Sequence, residues 1–250
     1  MHRLLIALFA LIGCQTGSAQ VNACGGDGNW PPMSYQVPAG SQVDGISAEV
    51  LRAIFPDIKI QLRPWPRCLL EVQTAQHMDI AMSALKNSDR EKNYLFSRSY
   101  HALTPSYLYE VKRYPQPPVT RLADLSRLKV CALHGSMTSY SNLTAAQIDS
   151  SASNYDSLLK KIDRARCDLV IDMREVFFGF AKLGLLPFDS QQYRIVDLPE
   201  TRQYHLHYAV SKTHPHAAML VEKIDQGIAE LQKNGRLAAI IRQYQFEKTP

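Results

Sequence analysis

The chain is 250 residues long, with 46% hydrophobic and 20% charged residues, which is ordinary for one large or two small globular domains. This composition excludes a disordered, a collagen-like and a multi-span membrane chain. Lysine and arginine total 28 against 23 acidic residues, but no run of five or more basic residues concentrates the net charge of +5. We therefore expect no nucleic-acid partner.

The N-terminal residues have the three-part layout of a secretory signal. A basic start precedes an apolar run over residues 4–12, which is too short to span a bilayer, and small residues ending at Ala19 follow. We predict a signal peptide over residues 1–19 with cleavage after Ala19. A lipid anchor on Cys14, which ends a lipobox-like Leu-Ile-Gly-Cys sequence, and a buried N-terminal helix are the alternatives.

Along the rest of the chain, short apolar runs that predict strands alternate with segments of helical period. The predicted strands are 58–62, 79–82, 129–133, 168–171 and 207–210. The predicted helices are 47–55, 67–75, 156–164, 176–183 and a C-terminal helical block from residue 215 that an Asn-Gly pair interrupts at 234–235. Near-continuous apolar strands separated by helices favour mostly parallel sheets with helices on both faces.

A proline-rich stretch at residues 114–118 divides this alternation into two series. Residues 106–111, just before it, have the pattern of an extended crossing between them. The predicted fold class is therefore α/β with two lobes joined by two crossing strands. Lobe 1 comprises residues 20–108 plus 205–250, and lobe 2 comprises residues 109–204. A cleft between two such lobes is where a ligand is expected.

Four cysteines remain after removal of the signal: Cys24, Cys68, Cys131 and Cys167. An even count in an oxidising compartment indicates two disulfides, for which three pairings are possible. We prefer Cys24–Cys68 and Cys131–Cys167, because each bridge then stays inside one lobe. No pair has the C-x-x-C spacing of a redox or zinc site, so we predict no metal, no cofactor and no thiol catalysis.

Five motifs in order carry a resemblance to a known family. They lie at residues 25–35, 45–51, 64–69, 83–92 and 96–100. Together they resemble the bacterial periplasmic solute-binding proteins of family 3, the polar-amino-acid-type receptors of ABC importers, from about Val21 to Tyr244. The resemblance implies a two-lobed type II clamp that closes on an amino acid or related carboxylate in the periplasm. It also implies a membrane ABC permease as partner, a monomer and no catalysis.

The resemblance places several ligand contacts in lobe 1. Arg90 matches the residue that holds the ligand carboxylate, for which a planar guanidinium is suited. Trp30 and Trp65 match aromatic residues that enclose the ligand side chain. Asp27 matches an acid that contacts a cationic group in some members, and Ser83 offers a hydroxyl. Each residue also has a structural interpretation: a solvated helix face for Arg90, core packing for the tryptophans, an Asx turn for Asp27 and a strand end for Ser83.

In lobe 2, residues 133–138 resemble the strand-turn-helix segment whose backbone N–H groups meet the ligand carboxylate. Ser136 and Thr138 are the predicted contacts in this segment. Met137 stands where the family commonly has serine or threonine, and Ser136 has the alternative role of a helix N-cap.

The partner of the ligand ammonium group is left open by the sequence. Asp172 is the predicted contact and Glu175 is the alternative, because Met173 occupies the usual acidic position. A third possibility is a ligand without an α-ammonium group. The spacing from Ser83 to Arg90 is also one residue shorter than in typical amino-acid receptors, which argues against naming one amino acid.

Two other functions stay open. The closed clamp of a sensory protein docks on a membrane receptor instead of a permease. Cyclohexadienyl dehydratases use the same cleft as an active site, which here would need Asp172 or Glu175 as a general acid. The chain has no Gly-x-Ser-x-Gly, His-Glu-x-x-His or phosphate-loop motif. A loose histidine cluster does not favour a metal site, since two members alternate along a strand and two begin a helix: His205, His207, His214 and His216. We therefore predict a binding protein with no catalytic residue.

Overall fold

The computed structural model describes residues 20–185 and 191–244, so the predicted signal peptide and Cys14 lie outside the described residues. Within these ranges the strands are β1 (Asn22–Gly26), β2 (Lys59–Arg63), β3 (Ile80–Leu85), β4 (Tyr94–Phe96), β5 (His101–Leu103), β6 (Pro105–Glu110), β7 (Val130–Leu133), β8 (Ile148–Ala152), β9 (Leu169–Met173), β10 (Tyr193–Asp197) and β11 (Tyr204–Ser211). The α-helices are α1 (Ile46–Ile54), α2 (Trp65–Gln73), α3 (Ser88–Asn93), α4 (Tyr155–Asp163), α5 (Arg174–Lys182), α6 (Ala217–Lys233) and α7 (Arg236–Tyr244).

The strands form two separate mixed sheets. The first has the order β2-β1-β3-β11-β4 with β5 also paired to β11, and the second has the order β10-β6-β9-β7-β8. Each sheet contains a parallel trio, β2-β1-β3 and β8-β7-β9, as expected for strands joined by helical crossovers. The remaining pairs are antiparallel. The expectation of mostly parallel sheets therefore holds only for the trios, because an apolar run indicates burial on both faces and not strand direction.

Residues 106–111 do not form the predicted crossing. Most of this segment belongs to β6, which pairs with β9 on one side and β10 on the other and is buried at five of its six residues. A strand with both edges paired is an interior strand, which accounts for its apolar sequence. The chain changes sheets at Thr104, a few residues before the predicted boundary at 108. The division into lobes at 20–108 plus 205–250 and 109–204 stays a prediction.

Each sheet and the helices packed against it are called one half of the protein here, the first half containing β1 and the second containing β7. Each disulfide lies within one half. One joins Cys24 in β1 to Cys68 in α2, and the other joins Cys131 in β7 to Cys167 just before β9. The preferred pairing is confirmed. Because each bridge connects neighbouring segments of one half, neither restrains one half against the other.

Helices cover both sheets through apolar faces of helical period. On the first sheet, α1 buries Val50 and Leu51, and α6 buries Ile224 and Ile228 against it. On the second, α4 and α5 contribute tyrosine and phenylalanine side chains to the core. None of the helices in the described ranges combines the length and apolarity that a membrane span requires.

Candidate ligand-binding site

A cavity of about 120 Å³ lies where the carboxyl ends of the two parallel trios face each other. This is the expected place for a ligand, since loops after parallel strands diverge from the sheet edge. Seven of the eight predicted contacts line it: Asp27, Trp30, Trp65, Ser83, Arg90, Ser136 and Asp172. Thr138 is not among the lining residues, and its carbonyl accepts hydrogen bonds from Ser141 instead. A cavity of about 150 Å³ accommodates benzene, so this one suits a small organic molecule.

The two halves touch at the rim of the cavity through glycines. A Cβ atom on Gly28, after β1, would stand 3.0 Å from the carbonyl oxygen of Ser153, after β8. A Cβ on Gly135, after β7, would stand 3.1 Å from the ring of Pro66 in α2. These approaches leave no room for a larger residue without a shift. The lining therefore forms one continuous wall drawn from both sheets.

Arg90 is a cation held in place at this wall. The Asn87 side chain accepts a hydrogen bond from the Arg90 backbone N–H at 2.8 Å and caps α3. The guanidinium donates to the Leu85 carbonyl at 2.8 Å and to the Gly135 carbonyl at 3.4 Å, and its carbon lies 5.4 Å from the centre of the Trp65 ring. None of the ion pairs among the described residues includes Arg90. A guanidinium has five N–H donors, so three remain for an anion.

Asp172 is the buried acid of the site, with 5% of its surface exposed. The Trp30 indole N–H donates to its Oδ2 at 3.3 Å, and the Tyr155 hydroxyl donates to the same oxygen. Oδ1 accepts from the Met173 backbone N–H at 2.7 Å. Burial raises the pKa of Asp172 to about 6, although these three donors lower it; the negative charge of Glu175 adds to the rise. The Trp30 bond crosses from the first half to the second.

Ser83 connects the cavity to a buried hydroxyl network. Its Oγ lies 2.8 Å from Ser47 Oγ and 3.2 Å from Ser34 Oγ. Ser47 Oγ lies 2.6 Å from the Tyr100 hydroxyl, and the Tyr208 hydroxyl donates to the Ser47 carbonyl. Burial raises the pKa of Tyr100 to about 12, so its hydroxyl stays protonated at neutral pH. The network fixes the orientation of the hydroxyls at the cavity wall.

A sequence model of bacterial extracellular solute-binding proteins, family 3, matches residues 23–248. The chain belongs to this family. The comparison with curated proteins found no match.

Solved structures share the fold of this family-3 solute-binding protein. An amino acid ABC transporter substrate-binding protein, AbpA from Streptococcus pneumoniae, bound to L-arginine, has a TM-score of 0.72 at 22% identity over 90% of this chain and 94% of its own. A histidine kinase sensor domain has a TM-score of 0.73 at 17% identity, covering 90% and 96%. An ancestral amino acid-binding protein, a precursor of cyclohexadienyl dehydratase, has a TM-score of 0.69 at 17% identity, covering 90% and 95%. These matches establish the two-lobed type II fold.

In this solute-binding protein some hydrogen-bond donors of the loop after β7 are used within the loop, and others are not. The Ser136 backbone N–H and hydroxyl both donate to the Leu133 carbonyl, at 3.1 and 2.8 Å. They close the turn, so Ser136 reaches the cavity as an acceptor. The hydrogen bonds among the described residues do not use the backbone N–H of Met137, a residue of the cavity lining. That N–H is a donor that this loop can offer to a ligand.

The structure separates the two candidate acids in the second half. Glu175 does not line the cavity; its carboxylate accepts from the Thr104 backbone N–H at 2.9 Å and lies 3.5 Å from Arg174. Asp172 does line it. Asp27 lies at the exposed mouth, where its backbone N–H donates to the Arg63 carbonyl. The roles of these acids as ligand contacts stay predictions.

Several residues of the site carry no sequence signal strong enough to identify them. Ser34 and Leu85 also line the cavity, and they belong to the motifs at residues 25–35 and 83–92. Met173 adds an apolar patch beside Asp172. Tyr155 is the largest omission, because it precedes Asp172 by 17 residues and reaches it only through the fold. No group of three or more potential metal ligands occurs within residues 20–185 and 191–244.

Proposed function

We propose that this family-3 protein is a periplasmic receptor that captures a small polar solute bearing a carboxylate, an amino acid or a related acid, and delivers it to an ABC permease. The observation that carries the proposal is Arg90, a partly buried cation at the cavity between the two sheets, with three N–H groups unused by hydrogen bonds among the described residues. Partly buried cations of this kind are stabilised by a bound anion, and arginine binds carboxylates in a bidentate manner.

The proposed binding mode uses both halves. The carboxylate pairs with Arg90 and accepts from the Met137 N–H, while Trp30 and Trp65 pack against the remainder of the ligand. Ser83, Ser136 and Asp27 supply the further polar contacts. Because such a ligand contacts both sheets, it favours the closed arrangement by its differential affinity for that state.

Transport is proposed over two alternatives. The relative from Streptococcus pneumoniae is described as a substrate-binding protein of an amino acid ABC transporter. The predicted signal at residues 1–19 agrees with a periplasmic receptor. A sensory role is the first alternative, since a histidine kinase sensor domain has this fold. A dehydratase-like enzyme is the second, because an ancestor of such enzymes shares the fold. We propose binding without catalysis.

The test is a thermal-shift screen of the mature chain from Gln20 against amino acids, small carboxylates, polyamines and oligopeptides. A ligand that binds the folded state stabilises it by about 2.7 kcal/mol at a hundredfold excess over Kd. We expect a saturable rise in melting temperature with a carboxylate-bearing solute. The rise is lost in Arg90→Gln and kept in Arg127→Gln, an exposed arginine outside the cavity.

Two results would contradict the proposal. One is a flat response of the folded protein to every carboxylate in the screen. The other is an equal shift in wild type and Arg90→Gln, which would show that the cation does not contact the ligand. The ligand-free melting temperatures of the variants report whether either substitution disturbs the fold.

A further inference from the structure

The charged groups of the cavity differ in how far the protein itself has satisfied them. Arg90 has three N–H donors left after its two bonds to backbone carbonyls. Asp172 already accepts from the Trp30 indole, the Tyr155 hydroxyl and the Met173 backbone N–H. Counted in the same way, the Asp172 carboxylate has about four acceptor positions and three are used, so these two groups leave more open to an anion than to a cation.

We propose, on the basis of the receptor function above, that the ligand is a small carboxylate without an α-ammonium group and that Tyr155 and Trp30 take the place of that ammonium at Asp172. Tyr155 acts as a positioning residue that holds the Asp172 carboxylate, and Asp172 forms part of the cavity wall without pairing with a ligand cation. Amino acids that carry the ammonium group are then the weaker ligands.

The Tyr155 hydroxyl is built into the second half of the protein. The residue is buried and begins α4, which the Asn154 side chain caps by accepting from the Ser157 N–H at 3.0 Å. Its ring lies 4.0 Å from the Phe180 ring centroid and 6.2 Å from that of Phe177. Turning the hydroxyl away from Asp172 would disturb this packing and leave a buried donor without an acceptor. A ligand ammonium cannot displace it without that loss.

Most of the remaining wall surface is apolar, and its acceptors include the Ser136 hydroxyl and the exposed Asp27 carboxylate. An ammonium group has three N–H donors and must find acceptors for them when it leaves water. The wall carries Met173 and Met137 from the same half as Asp172 and Leu85 from the other half, all buried apolar residues. The Ser83 hydroxyl is already within hydrogen-bonding distance of two other serines. A carboxylate attached to an apolar body fits this wall better than a zwitterion.

The pH dependence of binding separates the two kinds of ligand. Burial holds the pKa of Asp172 at about 6. An anion bound in the same cavity favours protonated Asp172, so its affinity rises as the pH falls from 8 through 6. An ammonium favours ionised Asp172, so the affinity of an amino acid falls over the same range. The two ligand classes therefore give opposite slopes.

Other charged or titratable groups near Asp172 must be accounted for. Tyr155 and Tyr140 stay protonated because burial raises the pKa of both, and Glu175 adds negative charge from α5. The cavity lining also includes Arg90 and Asp27 from the first half and His134 from the same half as Asp172. His134→Gln removes the imidazole from the lining and is the background in which the pH dependence is measured.

The experiment is isothermal titration with ligand pairs that differ only at the α-carbon, such as L-phenylalanine with 3-phenylpropanoate and L-leucine with 4-methylpentanoate, extended to each carboxylate found in the screen. We expect the acid without the ammonium to bind at least tenfold more tightly in wild type, and more tightly at pH 6 than at pH 8 in His134→Gln. Preference for the amino acids, with affinity falling towards pH 6, would overturn the inference and leave the receptor function intact. Absence of binding by either member of every pair would overturn both.

Tyr155→Phe tests the positioning role, since it removes the hydroxyl and keeps the ring. We expect the preference for the acid without the ammonium to fall at least threefold, because Asp172 Oδ2 regains an acceptor position and keeps only the bond from Trp30. Tyr193→Phe is the matched control: its hydroxyl donates to Asp163 in the same half, outside the cavity lining. It should alter stability without altering the preference. An unchanged preference in folded Tyr155→Phe would overturn the role given to Tyr155.

Discussion

Ser83 has a left-handed backbone conformation within β3, with a φ of 59°. The pairing of β3 with β11 shifts there, so that Met82 and Ser83 together face Tyr208. Such a bulge re-aims the side chain, and here it directs the serine hydroxyl to the cavity wall. For residues other than glycine this conformation costs about 1–2 kcal/mol. The surrounding hydroxyl network holds the serine in it.

The backbone strain predicts different costs for two substitutions at this position. Ser83→Gly and Ser83→Val both remove the hydroxyl, but glycine tolerates a positive φ and a β-branched residue does not. We expect the valine variant to have a free energy of unfolding lower than that of the glycine variant by about 2 kcal/mol. Urea unfolding of both purified variants measures the difference. Equal losses would mean that the strand relaxes away from this conformation.

The site residues differ in how far the sequence alone could identify them. Arg90 and the two tryptophans stand inside matched motifs, and they line the cavity. Thr138 was predicted from its loop, but the turn that follows uses its carbonyl for a local bond to Ser141 and leaves it off the wall. Tyr155 could not be inferred, because only the packing of α4 against β9 brings its hydroxyl to Asp172.

Two of the elements that the sequence did not predict, β8 and α3, lack an apolar pattern. The strand β8 reads Ile-Asp-Ser-Ser-Ala and exposes its three middle residues, so no alternation marks it. The six residues of α3 are all polar or charged and none is buried. Apolar strands such as β7 and β9 were predicted close to their observed bounds, because burial on both faces leaves an uninterrupted signal.

The helix α3 depends on its cap because it buries no side chain. Asn87 accepts from the Arg90 N–H at 2.8 Å, so the bond that begins the helix also positions the cation of the site. We expect Asn87→Ala to weaken carboxylate binding by at least threefold and to lower the free energy of unfolding by about 1 kcal/mol. Asn87→Asp keeps an acceptor at the cap and should retain both.

Isothermal titration and urea unfolding of the two Asn87 variants measure these effects. If the alanine variant lost stability but bound the carboxylate as wild type does, the cap would support the helix without positioning Arg90. If both variants lost binding equally, the added charge of aspartate would account for part of the effect.

At the scale of the whole molecule, the two halves meet on both sides of the cavity. Trp30 donates to Asp172, the Arg90 guanidinium donates to the Gly135 carbonyl at 3.4 Å, and Gly28 packs against Ser153. Each of these contacts involves a residue of the cavity wall. A ligand and the direct contacts therefore favour the same arrangement, which is the condition for closure to be coupled to binding.

Gly179 in α5 tests this coupling from outside the cavity. A Cβ there would overlap the carbonyl group of Pro31, which belongs to the loop after β1 in the other half. Gly227 in α6 is the matched control, because its Cβ would lie 2.6–3.0 Å from side-chain atoms of Ile54 within the first half. Replacing either glycine with alanine gains about 1 kcal/mol of helix propensity, so this contribution cancels in the comparison.

We expect Gly179→Ala to weaken ligand binding at least tenfold. The added Cβ would keep α5 and the Pro31 loop apart, and the halves could then not close fully around the ligand. Small-angle scattering with saturating ligand should give this variant a larger radius of gyration than wild type. Gly227→Ala should lower the melting temperature and leave affinity and radius unchanged, since its contact lies within one half. Wild-type affinity in Gly179→Ala would mean that the contact at Pro31 is not required for closure, and the coupling would then have to reside in the Trp30–Asp172 bond and the contacts at the cavity rim.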